Sequence, residues 1–258
     1  MKFGCCISIK NIPLAKSYGY DFVELSATEI MNINDNEWPR VKDYILSNNI
    51  EIIGFNAFCN EKIPLIGPFS KINKWDLYLN KVLLRASELG CKNIGIGAPK
   101  ARIIPLDYNY NLATKQMINF LKCAAIKAKE YNINILYEAL NPKECNFCNS
   151  TIEAINTINE INSDNIYIVY DVYHAVNSNE SYKDCTKYLK YINHIHINSW
   201  DKNLNRYFLF GNDINYINDL INILNEYNYS KTISIEANDS NFKVSGKIAI
   251  DILNKFKN

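Results

Sequence analysis

Three carboxylates and one imidazole occupy matched places in four short β-type runs. Glu138 closes Asn132–Glu138, Asp171 closes Asn165–Asp171, His196 lies near the end of Asn193–Asn198, and Glu236 closes Thr232–Glu236. Strand side chains alternate between two faces. In Thr232–Glu236, Ile233 and Ile235 take one face, leaving Thr232, Ser234 and Glu236 on the other. In Asn193–Asn198, Ile195 and Ile197 oppose His194 and His196. The same parity sets Glu138 opposite Ile135 and Tyr137, and Asp171 opposite Ile168 and Tyr170. Gathering three carboxylates in a buried place is costly, because each loses hydration and like charges repel. A divalent cation removes both objections. An oxygen-rich set with one imidazole suits Mn²⁺ first, with Mg²⁺, Co²⁺ or Zn²⁺ as alternatives. The competing reading is a set of separate ion pairs, and no Lys or Arg stands at an inward position of these four runs.

The four groups meet only if their strands are parallel neighbours. Eight strand candidates run from end to end: Lys2–Ile7, Asp21–Ser26, Ile50–Phe55, Asn93–Gly97, and the four above. Amphipathic stretches lie between or after them at Lys74–Leu89 (with Gly90 as its stop), Leu112–Tyr131, Thr151–Ile161, Ser181–Tyr191, Ile214–Tyr227 and Val244–Phe256. Strands alternating with helices require crossovers and so a parallel sheet. Eight units predict a closed α/β barrel, the (β/α)8 or TIM-barrel fold. Its interior takes the polar face of each strand, and its active site lies at the C-terminal strand ends. No linker or composition break interrupts the chain, so residues 1–258 read as a single domain.

The bulk numbers agree with this. The 258 residues are 48% hydrophobic, enough for one large core. A net charge of +1, from 28 basic and 27 acidic residues, predicts no nucleic-acid or membrane attraction. No apolar run reaches the roughly 20 residues of a membrane helix. The opening MKFGCCISIKNIP reads as a first strand rather than a signal peptide. These features predict a cytoplasmic protein whose eight cysteines are mostly reduced. Cys145-x-x-Cys148 has no second pair with which to build a four-ligand zinc site. No Rossmann or Walker fingerprint points to a nucleotide.

Further residues fall near the expected strand ends. His174, three positions after Asp171, can reach the site as a substrate contact or by supporting a ligand. His194 lies one layer deeper than His196 and reads as a hydrogen-bonded core histidine. Glu24 closes the second strand with inward parity, and either lines the pocket or pairs with a base. Lys100 and Arg102, after the fourth strand, are solvated or contact an anion.

Taken together, these motifs resemble the xylose-isomerase-like superfamily of sugar isomerases and epimerases. The branch holding ketose 3-epimerases and hydroxypyruvate-isomerase-like proteins is the nearest in pattern. The segments concerned are Glu138-Ala-Leu-Asn-Pro-Lys-Glu144, Asp171-Val-Tyr-His174, His194-Ile-His196, Arg206 and Glu236. The resemblance implies that Glu138, Asp171, His196 and Glu236 are metal ligands, with Glu138 and Glu236 also an acid/base pair. It implies that Glu144, His174 and Arg206 hold substrate oxygens, and that the protein is a homodimer or homotetramer acting on a small carbohydrate. The expected activity is isomerisation or epimerisation of a sugar, ketose or sugar phosphate through a metal-stabilised enediolate. A dehydratase or lyase on the same site is the alternative, and a non-catalytic sugar-binding protein a further one. An endonuclease-IV-type phosphodiesterase would need histidines on early strands, and none precedes His174. Pro142 stands where many relatives carry Arg, and the family's Gly-x-Gly is reduced to Phe210-Gly-Asn212. The substrate therefore cannot be copied from a relative.

Overall fold

The computed structural model describes residues 1–211, 214–238 and 240–257. Eight parallel strands close into a barrel: β1 (Lys2–Ile7), β2 (Phe22–Ser26), β3 (Glu51–Asn56), β4 (Asn93–Ile96), β5 (Asn134–Glu138), β6 (Ile166–Asp171), β7 (Ile192–Ile197) and β8 (Thr232–Ile235). Each strand pairs with its neighbours in chain order, and β8 closes onto β1. The chain is a single-domain (β/α)8 barrel. Predicted and observed strands agree to within two residues at either end.

The alternation predicted from sequence sorts the barrel into two environments. Ile195, Ile197, Ile233 and Ile235 lie between the strands and the helix ring, at most 1% exposed. Burying each such side chain contributes about 1.5–3 kcal/mol. The interior holds polar residues together with Phe22, Leu136 and Val169, which share the parity of Glu24, Glu138 and Asp171. At the N-terminal end Asn134 and Asn193 both donate to Asn93 Oδ1, at 3.2 and 3.1 Å. β3 and β4 approach so closely that a Cβ on Gly54 would lie 2.3 Å from the Asn93 carbonyl oxygen, so only glycine fits there.

The outer helices are α1 (Ile12–Tyr18), α2 (Ala27–Asn32), α3 (Trp38–Ser47), α4 (Ile72–Glu88), α5 (Tyr110–Lys129), α6 (Thr151–Asn159), α7 (Val172–Asn177), α8 (Ile214–Glu226) and α9 (Phe242–Asn254). The sequence patterns of α4, α5, α6, α8 and α9 were legible. α1, α2 and α7 span only six or seven residues, too short for a 3.6-residue period to stand out. α4 ends just before Gly90, which takes a positive φ of 74°, as its role as a stop requires. A full capping box starts α6, with Ser150 and Glu153 each satisfying the other's backbone N–H. The helix expected over Ser181–Tyr191 is instead a 3₁₀ segment, Tyr182–Tyr188. After β7 a two-stranded ribbon, Ser199–Trp200 against Arg206–Tyr207, folds over the barrel mouth. No helix among the described residues is long and apolar enough to cross a membrane.

Candidate functional site

Glu138 and Asp171 are the last residues of β5 and β6, and His196 is the penultimate residue of β7. Glu236 follows β8 directly, its N–H still bonded to Ile197 O at 3.0 Å. Offset between neighbours is set partly by a register shift at Ile168/Val169, after which Asp171 lies opposite His196. One potential ligand atom from each of the four side chains lies within 4.8 Å of the others. Gly97 makes room for this cluster, since a Cβ there would stand 2.3 Å from Glu138 Oε2.

Glu138 Oε1, Asp171 Oδ2 and His196 Nδ1 are buried without hydrogen-bond partners. Buried polar atoms are almost always satisfied, so three orphans facing one point indicate a missing partner. His196 Nδ1 lies 3.5 Å from Glu236 Oε2 and 3.7 Å from Glu138 Oε1. One divalent cation, with oxygen and nitrogen bonds of about 2.1 Å, can satisfy all three after small side-chain adjustments. The residues present therefore fit a metal ion.

The site also contains a cation of its own. Although none of the four strands carries an inward Lys or Arg, Arg206 enters from the ribbon. Its Nη1 lies 2.7 Å from Glu236 Oε2 and 3.5 Å from Asp171 Oδ2. Nη2 donates to Glu144 Oε1 at 3.2 Å, and the guanidinium lies over the Tyr173 ring at 4.3 Å. Scanning strand positions alone missed this ion pair because a loop supplies it.

The two glutamates are held in different states. Burial, with repulsion from Glu236, raises the Glu138 carboxyl above its ordinary value despite the nearby His196, 3.7 Å away. At Glu236 burial acts in the same sense, but His196, Arg206 and a bond from Asn56 (Nδ2 to Oε1, 2.8 Å) outweigh it and lower the carboxyl. Asp171 is pushed up to about 7, chiefly by burial and only partly offset by Arg206.

His174, in α7, is buried beside the cluster. Asn141 N–H lies 3.0 Å from its Nδ1 and Arg206 Nη2 lies 2.9 Å from its Nε2, so each ring nitrogen faces a donor. Burial and the Arg206 charge hold its pKa well below the ordinary value. Glu144 completes this edge, bound by Tyr173 Oη at 2.9 Å. Sequence reasoning passed over Asn56, Asn141 and Tyr173. Asn56 ends β3 on the face of Gly54, and inward parity would have found it.

Other expectations change. Arg102 is neither solvated nor an exposed anion contact: it is fully buried, donating Nη2 to Glu138 O at 3.0 Å and lying over the Tyr137 ring. It therefore supports the β5 end from behind, while Lys100 stays exposed. All eight cysteines are free. Among the described residues, Cys145 and Cys148 belong to no ligand cluster, and the Cys145 thiol bonds Arg102 O at 3.5 Å. Asn212 of the altered Gly-x-Gly segment lies outside the described residues.

Above the barrel, an opening of about 200 Å³ is lined by Cys6, Ser26, Asn56 and Ala237 among others. A larger cavity of about 780 Å³ lies between the ribbon and α9 and reaches the cluster only through Arg206. The first opening adjoins the cluster through Asn56, which donates to Glu236 Oε1.

The sequence profile of the xylose isomerase-like TIM barrel family matches residues 12–255. The chain belongs to that family. No curated protein matches the chain. Among solved structures, it resembles a D-psicose 3-epimerase crystallised with D-fructose, with a TM-score of 0.76 at 17% identity, covering 92% of this chain and 85% of the other. It also resembles the apo 3-keto-D-glucoside 4-epimerase YcjR from E. coli, with a TM-score of 0.76 at 16% identity, covering 99% and 98%. A third similar structure is the IolI protein with a bound zinc atom, at a TM-score of 0.73 and 18% identity, covering 99% and 96%. Identities this low establish a common fold; the chemistry of this family member has to be argued from its own site.

Proposed function

We propose that this protein is a divalent-metal-dependent isomerase or epimerase of a small sugar or ketose, with Glu138, Asp171, His196 and Glu236 as metal ligands. The observation that carries the reading is the convergence of those four side chains with three buried, unpartnered ligand atoms. Two of the similar structures are epimerases and a third holds zinc, which supports the same reading. The donor set favours Mn²⁺, with Mg²⁺, Co²⁺ and Zn²⁺ as further candidates.

A bound divalent ion would polarise a substrate carbonyl and offset the negative charge that develops when the neighbouring carbon loses a proton. The residues supply the rest. Glu236, whose carboxyl is lowered, accepts the carbon-bound proton; Glu138, whose carboxyl is raised, is the partner that returns one. Carboxyls whose surroundings drive their pKa values apart suit opposite roles in acid/base transfer. His174 and Arg206, in contact at 2.9 Å, orient substrate oxygens, and Glu144 holds Arg206 at the rim.

The test is metal analysis of the purified protein followed by a solvent-deuterium exchange screen over free ketoses, sugar phosphates and hydroxypyruvate. Exchange into a substrate that keeps all its hydroxyls is expected. Loss of a hydroxyl would instead identify a dehydratase, and absence of both metal binding and exchange would refute the proposal.

A pH effect follows. Metal binding must displace the Asp171 proton, whose pKa stands near 7 in the metal-free site. Affinity for Mn²⁺ should be flat above about pH 8 and fall roughly tenfold per unit below pH 7, if one proton is released. Chelator competition between pH 5.5 and 8.5 would measure this, and a flat profile would contradict it.

A further inference from the structure

Behind the cluster, on the opposite edge of the His196 ring, Glu24 is buried in the barrel interior at 4% exposure. Its Oε1 lies 2.8 Å from His194 Nε2, 3.2 Å from His196 Nε2 and 3.5 Å from Cys6 Sγ. Three strands supply this arrangement: Cys6 from β1, Glu24 from β2, and both histidines from β7. A register shift at Val23/Glu24 helps set the carboxylate's place. Thr232 Oγ1, 2.6 Å away, completes the hydrogen bonding of His194 through Nδ1.

We propose that Glu24 is a positioning residue that fixes His196 with its proton on Nε2, so that the Nδ1 lone pair is delivered to the metal. The reasoning is one of donors and acceptors. An ionised carboxylate only accepts, so each imidazole nitrogen facing it must carry hydrogen. In neutral His196 that leaves Nδ1 bare, and Nδ1 is the buried atom without a partner beside Glu138 and Glu236. A hydrogen bond made by one ring nitrogen decides which of the two can bind metal. Glu24 shares its oxygen with His194, itself tied to Thr232, so the acceptor is held from two sides and the His196 ring cannot rotate without breaking that network. The Cys6 thiol lies 3.5 Å from the same oxygen and 3.9 Å from His196 Nε2; with Nε2 protonated toward Glu24, the carboxylate is the acceptor left to it.

This inference rests on the metal reading above, and the experiment separates the two. The variants are Glu24→Ala and Glu24→Gln, the amide oxygen of Gln being able to accept from the same N–H groups. Mn²⁺ affinity is measured by chelator competition, and histidine tautomers by long-range ¹⁵N NMR on labelled protein, without metal and with Zn²⁺. Expected results are a His196 that carries its proton on Nε2 in the wild-type protein under both conditions, and a loss of that fixed state in Glu24→Ala. Metal affinity should fall by about 10–100-fold in Glu24→Ala and by less in Glu24→Gln. Wild-type affinity in a folded Glu24→Ala protein overturns the proposal. So does a wild-type His196 with a bare Nε2, a result that needs no variant to fold. A wild-type protein that binds no metal would remove the functional reading, while the Nε2 signal would still decide what Glu24 does.

Discussion

Glu236→Gln is expected to lower solvent-hydrogen exchange by about 10²–10⁴-fold for the epimer whose hydrogen faces residue 236, while the opposite epimer still exchanges. Glu138→Gln should give the mirror-image result. The reason is geometric: the two carboxyls come from β5 and from the end of β8, with His196 of β7 lying within 3.7 Å of one and 3.5 Å of the other. An enzyme with a base on each side inverts a carbon by taking the proton from one face and returning it to the other. Gln keeps the size and an oxygen for the metal but cannot carry the proton. The measurement is deuterium incorporation by NMR from each epimer of whichever ketose the screen identifies, with metal content checked in each variant. Loss of exchange from both epimers in a single variant would point to one base and to aldose–ketose isomerisation. Full exchange from both epimers in both variants would end the acid/base assignment.

The second large effect concerns Asp171, whose two oxygens do different work. Oδ1 accepts from the backbone N–H groups of Tyr173 at 2.7 Å and His174 at 3.2 Å, capping α7. Oδ2 faces the cluster and has no hydrogen-bond partner. Asp171→Asn retains a good capping oxygen but removes the charge, so metal affinity should drop by more than the roughly 100-fold attached to losing an outer contact, with stability little changed. Asp171→Ala should lose the metal equally and also about 1–2 kcal/mol of stability from the lost cap. Calorimetry of the metal-free forms, alongside metal titration, separates the two oxygens. Equal metal affinity in wild type and Asp171→Asn would exclude Asp171 as a ligand.

Strand parity was enough to nominate all four ligand candidates, because alternation along a barrel strand is a local property carried by Ile195, Ile197, Ile233 and Ile235. It was also enough to put His194 one layer below His196. Parity could not reveal Arg206, since a residue on a ribbon after β7 has no register with the barrel. Nor could it show that Arg102 is buried, because the exposure of a loop residue depends on what folds over it. The expected helix at Ser181–Tyr191 failed for a similar reason: apolar spacing over so short a stretch does not separate an α-helix from the 3₁₀ turns seen at Tyr182–Tyr188.

By itself the amino-acid order determined the barrel, its inward and outward faces, and the strand ends at which chemistry gathers, because each follows from periodicity within a single segment. Tertiary structure alone decided how charge is shared there: which nitrogen of His196 meets Glu24, how Arg206 divides itself among Glu236, Asp171 and Glu144, and in which direction each glutamate's carboxyl is moved. Those outcomes depend on distances of 2.7–3.5 Å between groups brought together from different strands and loops, and no pattern within one segment encodes them.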